Sequence, residues 1–247
     1  MLRGCSKQTR HVYNPSMPHS VSWQETRIPF THDSPVWIRP GPTATSPLVV
    51  LCHGMGEDPR SFTAHWPRVA ALPFHLVAPA GPYPHEIRRD DSIRIGYAWY
   101  LYDKGPEHFE QTTTTSVAWL CDVVSQVESK HGFRPDRRIL VGHSQGAYFG
   151  YLAALGTAKI FSHLVAVAGR LKEEFLTDAL GNGGSTAVLI LHGTKDRAVS
   201  PDAARRSHDA LSRAGYPVEL ELLPGGHGLT PETDARTATW LKKQLRL

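Results

Sequence analysis

Ser144 lies in Gly142-His143-Ser144-Gln145-Gly146, a serine with a glycine two residues to either side. A serine hydroxyl is a weak nucleophile until a base takes its proton. The spacing suits a sharp turn from a strand into a helix. Glycines let neighbouring chains approach such a turn closely, and the turn lifts the hydroxyl above the sheet edge. The helix that starts there offers unpaired N–H groups to a developing oxyanion. The five-residue pattern is short enough to arise by chance, so its setting decides. Arg138-Ile139-Leu140-Val141 reads as an entering strand, and Ala147 to Leu155, small and apolar, as a departing helix.

A serine nucleophile needs a general base, and the base needs an orienting acid. In α/β-hydrolases they follow in the order Ser, Asp or Glu, His. Two places downstream fit. The apolar run Ala187 to Leu191 leads into His192-Gly193-Thr194-Lys195-Asp196, which sets Asp196 on a loop after a buried strand. Val218 to Leu223 leads into Pro224-Gly225-Gly226-His227-Gly228, which sets His227 on the loop after the next. Asp202 is the rival acid, but it sits in the first turn of a helix, where a carboxylate serves the helix dipole. Of the other histidines, His208 is mid-helix and solvent-facing. His163 precedes a strand at the wrong end, and His192 is better suited to supporting the Asp196 loop.

His53-Gly54-Met55-Gly56 follows the apolar run Leu48 to Cys52. A turn of this kind can aim a backbone N–H at the serine. The expected oxyanion donors are the amides of Met55 and Gln145, the latter following the nucleophile. Residues 81–105 read as a long irregular loop rich in aromatics. Tyr97 and Trp99 are its candidate pocket residues, although aromatics there serve equally well to pin the loop to the body.

These groups need a frame that brings strand ends together. Leu48 to Cys52, His75 to Ala78, Arg138 to Val141, Leu164 to Ala168, Ala187 to Leu191 and Val218 to Leu223 read as strands, most of them buried on both faces. Val21 to Phe30 and Pro35 to Ile38 read as two early strands that could pair as a hairpin. Helices are expected over Ser61 to Leu72, Thr112 to His131, Lys172 to Leu180, from Ser200-Pro201 onward, and over Pro231 to Leu245. Val117, Leu120, Cys121, Val124 and Val127 form one stripe of the second, and Gly132 ends it. This alternation predicts an α/β fold with a mostly parallel central sheet covered by helices on both faces. Met1 to Ser20, polar and dotted with proline, reads as a flexible tail, and 21–247 as a single domain.

Composition narrows the remaining possibilities. The 247 residues are 40% hydrophobic and 20% charged, with a net charge of +4 that no segment concentrates, so a nucleic-acid surface is not expected. No apolar run approaches the ~20 residues of a membrane helix. Met1 to Tyr13 carries basic residues without the apolar stretch of a secretory signal. Three widely spaced cysteines, Cys5, Cys52 and Cys121, do not make a disulfide framework, and the latter two read as small buried hydrophobes. A reducing, cytoplasmic location is expected.

Taken together, LVVLCHGMGED (Leu48 to Asp58), GHSQGA (Gly142 to Ala147), LHGTKDRAVS (Leu191 to Ser200) and PGGHGLTPE (Pro224 to Glu232) resemble the phospholipase/carboxylesterase family, which includes acyl-protein thioesterases. The resemblance runs from about Pro47 to the C-terminus. It implies an α/β-hydrolase fold and a metal-independent esterase or thioesterase without a cofactor. It also implies a triad of Ser144, Asp196 and His227, with Met55 and Gln145 in the oxyanion hole. The sequence departs from the family's usual G-F-S-Q-G-G at two places, with His143 for Phe and Ala147 for the last Gly. The expected partner is a small-molecule ester. A peptidase or amidase on the same scaffold is an alternative, and a non-catalytic small-molecule receptor a more distant one.

Overall fold

The computed structural model describes residues 11–12, 23–24 and 33–247, save 90, 103, 104 and 157. Residues Met1–Asp33 form one unit and Ser34–Leu247 another. In the first, β1 (His11–Val12) pairs antiparallel with β2 (Trp23–Gln24). The rest of the expected tail, and most of 21–30, lie outside the described residues. Cys5 does too.

Seven short strands, apolar through the middle of the sheet and alternating at its two edges, build the second unit. They are β3 (Val36–Arg39), β4 (Leu48–Cys52), β5 (His75–Pro79), β8 (Arg138–His143), β9 (His163–Val167), β10 (Ala187–Gly193) and β11 (Val218–Leu223). Between β5 and β8 lie a separate pair, β6 (Tyr83–Arg89) and β7 (Ser92–Ala98). The sheet order is β11-β10-β9-β8-β4-β5-β3. Neighbours are parallel except β3, which runs antiparallel along β5 at the edge. The hairpin expected of 21–30 with 35–38 falls on residues mostly outside those described; the early strand at 35–38 pairs with β5. Its alternation explains the edge position: Val36 and Ile38 are half-buried, while Trp37 and Arg39 face out.

Period-2 geometry sends each buried strand to both faces. From β4, Leu48, Val50 and Cys52 enter one core, while Val49 and Leu51 enter the other. From β8, Leu140 joins the first and Ile139 and Val141 the second. Each such fully buried side chain contributes roughly 1.5–3 kcal/mol. The first core is covered by α3 (Pro106–His131), α4 (Gln145–Leu155), α5 (Thr177–Asn182) and α6 (Pro201–Arg213). The second lies under α1 (Pro59–Thr63), α2 (Pro67–Ala70) and α7 (Pro231–Leu245).

Several boundaries differ from the expectation, each for a local reason. The helix expected over Ser61 to Leu72 is two short ones, because Pro67 cannot continue a helix and instead starts α2. The third helix begins earlier than Thr112, at Pro106 behind Gly105, and ends as expected where Gly132 takes φ 69°. Cys121 on it is only half-buried, whereas Cys52 is fully buried. Lys172 to Leu180 divides into a 3₁₀ turn at Glu173–Phe175 and α5. The long irregular loop expected at 81–105 contains an antiparallel hairpin, with β6 and β7 paired from Tyr83↔Ala98 to Arg89↔Ser92. Its apolar residues Ile93 and Ile95 are exposed, so no core-facing alternation marked it in the sequence.

The topology fixes where a site can form. From β4 the chain proceeds through α1 and α2 to β5 on one side. From β8 it proceeds through α4 to β9 on the other. Adjacent strands whose connections depart in opposite directions leave a crevice beyond their C-terminal ends. The turn after β4 is the His53–Gly56 turn, and the turn after β8 is Ser144.

Candidate active site

Ser144 takes φ 51° and ψ −117°, a left-handed conformation that a residue with a Cβ rarely adopts. Three hydrogen bonds hold it there. Its N–H donates to Val167 O at 2.9 Å, at the end of β9, and its carbonyl accepts from Ala147 and Tyr148 at 2.9 and 3.1 Å. The flanking glycines are required by space rather than by φ. A Cβ on Gly142 would stand 2.3 Å from Gly146 O, and one on Gly146 would stand 2.2 Å from Cys52 O. Gly146→Ala is therefore expected to destabilise the fold by at least about 2 kcal/mol, since backbone on both sides must move. A thermal or urea melt measures this. A stability within a few tenths of a kcal/mol of the parent would contradict the close approach.

His227 stands on the loop after β11. Its Nε2 accepts from Ser144 Oγ at 2.8 Å, and its Nδ1 donates to Asp196 Oδ2 at 2.8 Å. Asp196 is buried on the loop after β10. Its Oδ1 accepts from the N–H groups of Ala198 and Val199 at 2.8 and 2.9 Å. Burial pushes this carboxyl up, but those N–H donors and His227 pull it down further, so it sits below the ordinary carboxylate range. His192 braces the same loop from beneath, donating from Nε2 to Val199 O at 2.9 Å. The rival Asp202 is exposed at the start of α6 and pairs with Arg205. His163 begins β9 at the opposite end of the strand from Ser144.

The turn after β4 lies against the serine turn, for Gly146 abuts the carbonyls of Cys52 and His53. Within it, Gly54 N–H donates to Glu57 Oε2 at 2.7 Å and Gly56 N–H to Tyr97 O at 2.9 Å. Among the described residues neither Met55 N–H nor Gln145 N–H donates to an acceptor of the chain. Gln145 is the first residue of α4, where the helix leaves its N–H groups unpaired. The arrangement is a hydrogen-bonded line from carboxylate through imidazole to hydroxyl, with the two amides on the adjoining turns.

A family model described as phospholipase/carboxylesterase matches residues 36–245. The chain belongs to that family. Acyl-protein thioesterase 1 of Gibberella zeae is 31% identical over 125 residues, which is 49% of this chain and 53% of that protein. Carboxylesterase SOBER1 of Arabidopsis thaliana is 27% identical over 126 residues, 48% of this chain and 54% of the relative. The match thus spans about half the length of these curated relatives. The crystal structure of esterase PE8 superposes with a TM-score of 0.69 at 22% identity, covering 86% of this chain and 99% of that one. That likeness carries the α/β-hydrolase fold.

In this member of the phospholipase/carboxylesterase family, the two aromatic pocket candidates lie in different surroundings. Trp99 is not a pocket residue: it is wholly buried. Its indole N–H donates to His53 O at 2.7 Å, and its ring lies 4.9 Å from both His53 and Phe149. A large apolar ring with its one donor satisfied belongs to the core. Tyr97 remains half-buried at the turn, with its ring 6.4 Å from His53. The Gln145 side chain has a task that its place after the nucleophile did not reveal. It accepts from Trp99 N–H at 2.9 Å and donates to Tyr100 O at 3.0 Å, tying this segment to the serine turn. His53 was also missed. It donates from Nδ1 to Gly54 O at 2.7 Å and accepts at Nε2 from Gly81 N–H at 3.0 Å, so it is neutral and joins the two segments. Burial lowers its pKa, in keeping with that. The only sequence signal for it was its place directly after a buried strand.

Among the described residues no group of three histidine, cysteine or acidic side chains is placed to hold a metal ion. No helix among them is long and apolar enough to cross a membrane.

Proposed function

We propose that the chain hydrolyses carboxylic esters, thioesters included, through an acyl-enzyme on Ser144. The observation that carries this reading is the continuous hydrogen-bonded line Ser144 Oγ–His227–Asp196, with both links at 2.8 Å. His227 takes the serine proton as Oγ attacks the acyl carbon. The oxyanion that forms is held by the amides of Met55 and Gln145. His227 then passes the proton to the departing alkoxide or thiolate. Water, deprotonated by His227 in turn, releases the acid. Asp196 keeps Nδ1 protonated so that Nε2 is free to accept.

The family and the names of its relatives favour esters and thioesters over amides. Met55, Leu101 and Tyr102 are exposed apolar side chains near these turns, which supports an apolar acyl group, with Tyr97 beside it. The free thiols of Cys52 and Cys121 and the lack of a concentrated charge support a cytoplasmic enzyme acting on a small molecule.

The test is hydrolysis of p-nitrophenyl esters of graded chain length and of an acyl-thioester, beside labelling by a fluorophosphonate probe. Turnover and labelling are expected in the parent and neither in Ser144→Ala. Turnover of aminoacyl-anilides without ester turnover would replace this reading with an amidase. Binding of an ester without turnover or labelling would replace it with a receptor.

A further inference from the structure

His143 occupies the position before Ser144, at the end of β8, and it is nearly buried. Its Nε2 lies 2.9 Å from the main-chain carbonyl of His227. A carbonyl only accepts, so Nε2 carries the proton and donates. His227 is thereby held to the serine turn twice. Its ring meets Ser144 Oγ, and its main chain meets the residue just before that serine. The second link matters because the loop of His227 has little stiffness of its own. Gly225, Gly226 and Gly228 surround it, and Gly225 takes φ 138°.

The other side of the same ring faces the turn after β4. A Cβ on Gly54 would stand 3.2 Å from His143 Nδ1 and 3.1 Å from Glu57 Oε2, so the glycine is what lets the two side chains lie side by side. Nδ1 has no hydrogen-bond partner and stands 3.9 Å from Glu57 Oε2. That carboxylate oxygen accepts from Gly54 N–H, next to Met55. Burial pushes the Glu57 carboxyl up, while the polar groups around it, the Gly54 N–H among them, bring it below its ordinary value. One imidazole thus touches the loop of the base and packs against the turn that carries the Met55 amide. Both of these are glycine-rich segments.

We propose that His143 is a positioning residue: its Nε2–H, donated to the main chain of His227, sets the general base over Ser144, and its ring seats the Gly54–Glu57 turn against the same elbow. The proposal rests on the hydrolase reading above for its kinetic consequence, but not for its structural one.

His143→Phe removes the donor and keeps a planar ring beside Phe62, whose ring lies 6.5 Å from that of His143. His143→Gln replaces the ring but carries an amide N–H out to about the position of Nε2. With p-nitrophenyl butyrate, His143→Phe is expected to lower kcat about tenfold or more while KM stays within about twofold, because the base is misplaced rather than the substrate lost. His143→Gln is expected to recover most of that. A second readout needs no turnover. The proton on His227 Nδ1, shared with Asp196, gives a far-downfield proton resonance, assigned by its loss in His227→Ala. It should broaden through solvent exchange in His143→Phe and persist in His143→Gln, with melting temperatures confirming that both variants fold.

The proposal is overturned if His143→Phe leaves kcat and the resonance as in the parent, or if Phe and Gln lose equally, which would mean a packing role alone. It is also overturned if the folded parent shows no such resonance. If the parent turns over no ester yet the resonance responds as described, the hydrolase reading fails and the positioning role stands.

Discussion

Ser144→Ala is expected to lower kcat on a p-nitrophenyl ester by at least about 10³-fold and to abolish fluorophosphonate labelling, while the protein remains folded. The reason lies in what the hydroxyl does and does not do. It donates to His227 and, in the proposed reaction, supplies the attacking atom, but among the described residues its side chain makes no other hydrogen bond. The elbow is held by main-chain bonds from Ser144 N and O, which alanine keeps. What alanine does not relieve is the backbone. At φ 51° and ψ −117° any Cβ is strained, by about 1–3 kcal/mol. Ser144→Gly should therefore be equally inactive yet no less stable than Ser144→Ala, despite the cost of about 0.5–1 kcal/mol that glycine ordinarily adds through the unfolded chain. Rate assays and melts on the pair check this. Residual turnover in Ser144→Ala near that of the parent would end the acyl-enzyme reading. A glycine variant clearly less stable than the alanine one would show that the turn stores no strain.

Asp196→Asn is expected to cost about 10³–10⁴-fold in kcat with little change in KM. Oδ1 of Asp196 accepts two main-chain N–H groups, from Ala198 and Val199. An asparagine must keep its oxygen there, because its NH₂ has nothing to give two donors. The NH₂ then faces His227 Nδ1, where the carboxylate oxygen Oδ2 had been. To accept from it, Nδ1 must shed its proton, and the histidine switches to the tautomer with the proton on Nε2. That nitrogen then has no lone pair for Ser144. Asp196→Ala, which imposes no tautomer, should be less damaging than Asn to His227 but more damaging to the loop. Equal rates in Asn and parent would separate Asp196 from the chemistry.

The same carboxylate carries a pH signature. Its folded value is depressed, so it binds a proton less readily in the native state than in the unfolded one. Its contribution to stability is present above the unfolded carboxylate value of about 3.9 and is lost as pH falls through the folded one. Protonation of Asp196 therefore cannot set an acid limb of the rate profile above about pH 4.

How much of this could be read from the chain differs between its parts. Ser144, Asp196 and His227, the candidate nucleophile, acid and base, were legible because each lies on a turn closely following a strand, Ser144 and His227 among glycines. Chain order then leaves few candidates. The buried strands were legible because burial on both faces leaves continuous apolar stretches such as Leu48 to Cys52. The hairpin β6–β7 was not, since its Ile93 and Ile95 are exposed and no core-facing alternation runs along it. The break at Pro67 was visible in principle, but the apolar spacing across it reads as one helix.

The buried strands, the elbow at Ser144 and the candidates Asp196 and His227 could thus be read from the chain, because these are local matters of pattern and spacing. What the intervening residues do follows from packing alone. It turned Trp99 from a pocket candidate into a core ring, and it gave Gln145 and His53 the work of joining segments 46 and 28 residues away. It also set His143 against a carbonyl 84 residues on. The reason is physical: a side chain's neighbours across a strand end are fixed by sheet order and register, and no spacing along the chain records them.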